Sequence, residues 1–248
     1  MTKSSETGHI TNRTNFERLL TVIASHSDQY RPSRASLSLD ALQNLLTASG
    51  KALTDVKQAD SVYVTAIDVR KKAYSMLGAY VTRIINALIA SDSSEEVDKS
   101  ARILVRKLRG ERLRAYLTDA EKAALESEGK SVRQHSSSQM DFDARLDNFD
   151  KLVSLLANIP EYAPNETDLK VDALKAFYYD LGAKNASVIE AASKRAGARN
   201  KRYNVFYMPL SGMVPLALDA KAYIRSIDGS KSSFYKLVSK IKFVNLSD

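Results

Sequence analysis

The sequence of 248 residues carries 37 Lys and Arg against 29 Asp and Glu, a net charge of +8, and is 44% hydrophobic. That hydrophobic content is enough for a packed core, and the positive charge favours anionic partners. The chain contains no cysteine, which excludes disulfides, thiolate metal sites and thiol catalysis.

Neither a secretory signal nor a membrane span is predicted. The stretch from Met1 to Thr14 is polar, and the most apolar run, Ala79 to Ala90, contains Arg83. That run is far shorter than the roughly 20 residues that cross a bilayer. We therefore expect a cytoplasmic protein without a membrane span.

The first predicted helix covers about Asn15 to Asp28 and places apolar residues on one face. It ends before a Tyr-x-Pro turn, Tyr30-Arg31-Pro32, because proline disfavours helix in the residue before it. A long second helix starts near Ser38 and follows the alternating spacing of three and four that is typical of a bundle seam, up to Leu77. Three polar residues interrupt this seam: Ser49, Asp60 and Arg70.

Shorter helices follow the second one. We predict a third helix over Ala79–Ser91 and a basic fourth helix over Glu95–Leu108. The segment after them divides into a helix-prone part, Arg112–Glu128, and a flexible connection rich in serine, Gly129–Gln139. The β-prone tripeptide Val62-Tyr63-Val64 lies inside the long helical pattern, so we expect helix there.

The second half of the chain repeats the first. Residues Asn15–Ala24 match Asn148–Ala157 at every position, and each difference is an exchange within one chemical class. At an offset of 132, Tyr30-Arg31-Pro32 faces Tyr162-Ala163-Pro164, and Leu39–Leu42 faces Val171–Leu174. The helices predicted for the second copy are about Phe142–Ala157, one from near Asp168, Val214–Asp228 and Ser232–Lys242.

The predicted fold is all-α: two tandem helical repeats packed as an antiparallel helical bundle with pseudo-twofold symmetry. The repeat units are residues 14–110 and 147–243, and residues 111–146 connect them. One composite bundle is the preferred arrangement, and two separate domains are the alternative.

The Asn-Phe opening of each copy, the Tyr-x-Pro turns and the closing segment Phe234–Phe243 resemble uncharacterised, internally duplicated all-helical proteins of Bacteroidota. The resemblance covers both copies and implies the duplicated helical architecture. It implies no activity, since none is known for such proteins.

Catalytic and cofactor motifs are missing from the sequence. His9, His26 and His135 each lack a second ligand at metal-binding spacing, so we expect them to be structural or exposed. The glycines form no phosphate-binding loop and no nucleophile elbow. We therefore predict no catalytic residue, no metal and no cofactor, and a protein that is not an enzyme.

Two basic clusters are the candidate sites. The first lies on the fourth predicted helix and its members are Arg102, Arg106, Lys107 and Arg109, with Lys99, Arg112 and Arg114 beside them. The second lies on the long helix of the second copy and its members are Lys194, Arg195, Arg199, Lys201 and Arg202. Its equivalents in the first copy are mostly apolar: Val62, Tyr63, Ile67, Val69 and Arg70.

These clusters predict a non-enzymatic binding or scaffold protein whose basic faces contact RNA, DNA or a ribonucleoprotein. If the second cluster is the contact, the double substitution Arg199→Glu with Arg202→Glu is expected to be the most damaging to binding. The alternative is a structural or protein-interaction module that self-associates through apolar positions between Met208 and Leu218. Arg70 and Arg202, shared by both copies within a mostly apolar seam, are predicted to be structural.

Overall fold

A computed structural model describes residues 5–111, 127 and 140–245 of the chain. All regular elements in these ranges are helices, which confirms the all-α prediction. The helices are α1 (Ser5–Ala24), α2 (Leu39–Ile89), α3 (Glu95–Arg109), α4 (Phe142–Ala157), α5 (Val171–Tyr207), α6 (Met213–Asp228) and α7 (Ser233–Ser239). Short 3-10 turns at Ala35–Leu37 and Thr167–Leu169 precede α2 and α5.

The prediction for the start of α1 was wrong by ten residues. The helix begins at Ser5, within the segment that the sequence suggested was merely polar. His9 and Asn12 are fully buried there, so polar side chains with specific partners fill positions that apolar residues usually occupy. A hydrophobic pattern does not detect such positions.

The prediction of a separate helix over Ala79–Ser91 was also wrong, because α2 runs without interruption to Ile89. Its counterpart α5 ends at Tyr207, just before Met208-Pro209. Proline lacks an amide hydrogen and disfavours helix in the preceding residue. In the alignment at an offset of 132, Leu77 stands opposite Pro209, and the absence of proline there allows α2 to continue.

The turn after α5 has an unusual backbone. Leu210 adopts a positive φ of 66°, a left-handed conformation that residues with a side chain rarely adopt. Gly212 then donates its amide to the Met208 carbonyl at 2.7 Å. A Cβ at Gly212 would lie 2.6 Å from the Met208 nitrogen, so this tight turn requires glycine.

Two compact units can be distinguished, and each is described by itself. The first unit joins the chain up to Tyr63 with the chain from Ala191 onwards. Its core packs aromatic and aliphatic residues of α1, including Phe16 and Ile23, with Phe206, Ile224 and Phe234. Each such side chain contributes about 2 kcal/mol through burial.

The second unit contains the described residues between Val64 and Glu190. Its core joins Tyr74, Leu77 and Leu88 of α2 with Phe149 and Leu152 of α4. Residues of α3 and the first part of α5 complete this core. Each unit therefore combines segments from both halves of the sequence, and the division runs through α2 and α5. The repeat boundaries at 14–110 and 147–243 divide the chain differently and stay a prediction.

The Tyr-x-Pro turns have the same local structure in both halves. The Tyr30 hydroxyl donates to the Leu37 carbonyl at 2.9 Å, and the Tyr162 hydroxyl donates to the Leu169 carbonyl at 2.9 Å. Both tyrosines are buried. These equivalent bonds fix the path of the chain into α2 and α5.

The helix predicted over Arg112–Glu128, apart from Ser127, and the connection Gly129–Gln139 lie outside the described residues. Among the helices that are described, none combines the length and hydrophobicity that a bilayer crossing requires.

Candidate anion-binding site

The basic cluster of α3 lies on an exposed side of that helix. Ala101, Val105 and Leu108 face the core at the spacing i, i+4, i+7. The next residue after each of these is an exposed arginine: Arg102, Arg106 and Arg109. One residue of α-helix corresponds to about 100° of rotation, so the three guanidinium groups point to one side of the core-facing stripe. Ile103, which the sequence placed on the apolar side, is 45% exposed.

Positive charge is concentrated in the last turn of α3, and acidic residues lie in its first turn. The Ser94 hydroxyl accepts from the Val97 amide, and three acids occupy the first turn. The last turn carries Arg106, Lys107 and Arg109. Acids at the beginning and bases at the end of a helix both match its dipole. The helix therefore separates its own charges along its length.

Glu111 offsets part of this charge. It lies 4.0 Å from Arg106 and 3.6 Å from Arg109. Arg109 also donates through Nη2 to the Thr82 hydroxyl at 2.6 Å, which anchors the end of its side chain on α2. Arg102 makes no ion pair within the described ranges. Arg112 and Arg114 lie outside them.

The second cluster is more involved in internal contacts than the first. Arg195 contacts Asp60 at 2.5 Å and Arg199 contacts the same oxygen at 3.3 Å. The Arg195 guanidinium also lies 4.8 Å from the centre of the Tyr63 ring. The Asp60 carboxylate of α2 thus offsets part of the positive charge of these two α5 arginines.

The other members of the second cluster differ in exposure. Lys194 and Lys201 are exposed, whereas Arg202 is only 3% exposed. Its counterpart Arg70 lies with its guanidinium 3.9 Å from the centre of the Phe142 ring, a cation–π contact. The sequence predicted a structural role for these shared arginines. For Arg70, the contact is with an aromatic ring.

The second unit contains a cationic groove that was not predicted from the sequence. It has a volume of about 410 Å³ and joins Lys71 of α2, Arg109 of α3 and Arg145 of α4. The other residues that line it are Tyr74, Ser75, Gly78, Leu108, Met140 and Phe142. None of the lining residues in the described part of the chain is acidic. Only Arg109 belonged to a predicted cluster. Lys71 lies in the short run Arg70-Lys71-Lys72, which was not identified as a site, and Arg145 is an isolated base.

Arg145 is the most constrained cation of this groove. It donates through Nη2 to the Tyr74 carbonyl at 3.0 Å, and its guanidinium lies 5.2 Å from the centre of the Tyr74 ring. Its Nε is enclosed and has no hydrogen-bond partner among the described residues. Burial lowers the pKa of Arg145, because the surroundings penalise the charged form.

The two described histidines are structural, as predicted. His9 is completely buried, with Nδ1 at 2.8 Å from the Tyr207 hydroxyl. The His26 ring stacks on Phe234 at 4.4 Å. His135 lies outside the described residues. No group of three or more potential metal ligands occurs in the described part of the chain.

No protein-family model matches the chain, and no curated protein and no solved structure matches it. The proposals below therefore rest on the chain's own geometry.

Proposed function

We propose that this is a non-enzymatic binding protein whose basic surface on α3 contacts an anionic partner, with RNA, DNA or a ribonucleoprotein preferred. The observation that carries the proposal is the shared exposed side of Arg102, Arg106 and Arg109. The last of these also lines a groove whose described lining contains no acidic residue. Nucleic acid presents a regular array of phosphates, and a row of exposed guanidinium groups suits such an array.

The second cluster has a smaller part in this proposal. Asp60 engages Arg195 and Arg199, and Arg202 is buried, so three of its five bases serve the first unit itself. Lys194 and Lys201 lie at exposed positions and contribute to the net charge of +8, which favours the approach of polyanions. Contact with the partner is assigned to α3.

The test is a pair of matched charge reversals measured by fluorescence anisotropy with labelled single-stranded RNA and DNA. Arg102→Glu with Arg106→Glu should weaken binding about tenfold or more at low salt, and should make the affinity less sensitive to salt because fewer phosphates are contacted. The control is Lys51→Glu with Lys57→Glu, which reverses two exposed charges of α2 in the first unit. An equal loss in both double variants, or no binding by the unaltered protein, would refute the proposal.

Self-association is the second candidate function, and one observation favours it. Leu210 has a left-handed backbone and is 75% exposed, and Arg34 holds its carbonyl at 2.7 Å through Nη2. Met208 and Leu218 are also exposed nearby in the sequence. Holding an apolar side chain outwards in a costly conformation suits a contact with a second copy.

Sedimentation equilibrium over a range of concentrations tests self-association. We expect an average mass that rises with concentration and falls back towards one chain in Leu210→Gly, which removes the side chain and suits the positive φ. The mass of a single chain at every concentration would contradict it.

We further propose that the chain arose by tandem duplication, with the antiparallel pseudo-twofold packing that the sequence predicts. The support is the equivalence of the Tyr30 and Tyr162 hydrogen bonds, 132 positions apart, together with the aligned starts of α2 and α5.

A further inference from the structure

The groove between α2, α3 and α4 has the chemistry of an anion receptor. Lys71 is exposed at its edge and makes no ion pair within the described residues, while Arg109 and Arg145 are held in place by Thr82 and by the Tyr74 carbonyl. Three cations thus converge from three helices, two of them with fixed side chains. Little conformational entropy has to be lost when a ligand binds to groups that are already ordered.

Nearby acids at the start of α4 are engaged elsewhere. Asp141 accepts from the Ala144 amide at 2.8 Å and caps the helix. Asp143 accepts from the Asn185 amide group at 3.1 Å. Neither acid lines the groove, and Glu111 contacts only the Arg109 member of the three cations. Lys71 and Arg145 therefore have no carboxylate partner within the described ranges of the chain.

Arg145 supplies the independent sign that a ligand belongs here. Arg145 is partly buried, and a guanidinium that is partly withdrawn from water without an acidic partner is unfavourable unless other groups compensate it. One carbonyl and one ring do so in part, and the enclosed Nε–H donates to nothing among the described residues. An anion in the groove would offset the charge of this side chain.

We propose that the groove binds one phosphate group of the anionic partner, held by Lys71, Arg109 and Arg145. The identity of the partner rests on the proposed function, whereas the affinity of the groove for phosphate does not. A phosphate monoester carries about −1.5 to −2 charges at neutral pH and offers three acceptor oxygens, which three cationic donors can match. A backbone phosphodiester offers the same oxygen chemistry with one charge.

Gly78 gives a means to block the groove without disturbing the core. It lines the groove on α2, and a Cβ at this position would meet no heavy atom within 4 Å. Gly78→Glu should therefore fold, and it places a carboxylate next to the three cations. Gly78→Ala is the control for the backbone. Gly197→Glu is the control for the charge, since Gly197 has equally open surroundings on α5 and belongs to the first unit.

The first experiment titrates the full chain with inorganic phosphate at constant ionic strength and follows the arginine Nε–H signals by NMR. We expect the Arg145 signal to shift in a saturable way in the unaltered protein, in Gly78→Ala and in Gly197→Glu, and to stay in place in Gly78→Glu. A shift that persists in Gly78→Glu, or no saturable shift in the unaltered protein, overturns the proposal. Thermal unfolding of each variant verifies that it is folded.

The second experiment compares single-stranded oligonucleotides that carry either a 5′-phosphate or a 5′-hydroxyl. Gly78→Glu should lower the affinity about fivefold or more, whereas both control variants stay within about twofold of the unaltered protein. A loss confined to the 5′-phosphate oligonucleotide assigns the groove to a terminal phosphate, and an equal loss for both assigns it to the backbone. Equal affinity of Gly78→Glu and the unaltered protein overturns the proposal.

The two proposals can fail separately. If Arg102→Glu with Arg106→Glu weakens binding but Gly78→Glu has no effect in either experiment, the groove proposal is wrong and the α3 surface remains. If no oligonucleotide binds but phosphate still shifts Arg145 in a way that Gly78→Glu abolishes, the nucleic-acid proposal is wrong and the groove remains.

Discussion

Arg195 donates through Nε to the carboxylate of Asp60 at 2.5 Å, and this contact changes the interpretation of both residues. Asp60 is an acid in a mostly apolar seam of α2, and Arg195 belongs to a basic cluster of α5. Each residue looks anomalous in its own helix. Together they form an ion pair inside the first unit, with each side chain about one-third exposed.

Removing the acid should reduce stability slightly. Asp60→Asn leaves Arg195 and Arg199 without their carboxylate, and a partly exposed pair of this kind contributes about 1 kcal/mol. The control is Asp68→Asn, an exposed acid of the same helix with no ion pair in the described ranges. Urea unfolding should show a lower midpoint for Asp60→Asn alone, and added salt should narrow the difference. Equal midpoints for the two variants would show that the pair contributes nothing.

The double substitution Arg199→Glu with Arg202→Glu should act on folding before it acts on binding. It places one carboxylate next to Asp60 and a second at a position that is 3% exposed. Burying an unmatched charge costs about 3–5 kcal/mol. We expect a large fall in the free energy of unfolding, measured with urea. Lys201→Glu, at an exposed position of the same cluster, should stay within about 0.5 kcal/mol of the unaltered protein.

Alkaline pH should destabilise the protein through its two buried turn tyrosines. Burial raises the pKa of Tyr30 to about 12 and that of Tyr162 to about 12. In the unfolded chain, tyrosine ionises near pH 10, so between about pH 10 and 12 the unfolded state releases protons that the folded state retains. Stability is therefore fully present below pH 10 and falls above it, by up to about 1.4 kcal/mol per pH unit for each tyrosine.

Urea unfolding at several pH values above 9, together with tyrosinate absorbance, measures this effect. Tyr30→Phe and Tyr162→Phe each remove a buried donor to a carbonyl and should cost about 1–2 kcal/mol near neutral pH. Each should also flatten the alkaline slope. An unchanged slope in the double variant would show that other groups cause the alkaline loss.

Asn12 should anchor the C-terminal segment through a two-sided amide contact. Its Nδ2 donates to the Val244 carbonyl at 2.7 Å, and its Oδ1 accepts from the Val244 amide at 3.0 Å. Asn12→Ala removes both bonds at a buried position and should cost about 2 kcal/mol. The Val244 amide should then exchange with solvent much faster. Asn15→Ala, which removes one exposed bond to the Lys242 carbonyl, should have a smaller effect.

The elements predicted best are those with a strong apolar period and a clear cap. The sequence predicted α4 over Phe142–Ala157 and α6 to within one residue, because Asp141 caps the first and an apolar stripe defines the second. The start of α1 was not predictable in this way, since buried His9 depends on a hydroxyl that is almost two hundred residues away. The long α2 could have been inferred from the missing proline at Leu77.

In the candidate site, too, local features were predictable from the sequence and contacts between helices were not. Local spacing placed Arg102, Arg106 and Arg109 on one side of α3, and the structure confirms this because a helix fixes the neighbours at three and four residues. The neutralisation of Arg195 by Asp60 and the convergence of Lys71 with Arg145 depend on packing between helices. Such contacts between helices cannot be inferred from a single sequence, because it does not show which distant residues lie close together.

Because each compact unit draws on both halves of the chain, a break in the peptide backbone between α3 and α4 leaves two fragments that each lack part of both cores. Neither fragment should fold by itself, yet the pair should reassemble when mixed, as in a split reporter. Co-expression of residues 1–139 and 140–248, followed by co-purification through a tag on one fragment, would detect this complementation. The N-terminal and C-terminal parts of the chain would then be equivalent to the two subunits of an obligate heterodimer, joined in the intact protein by the peptide backbone.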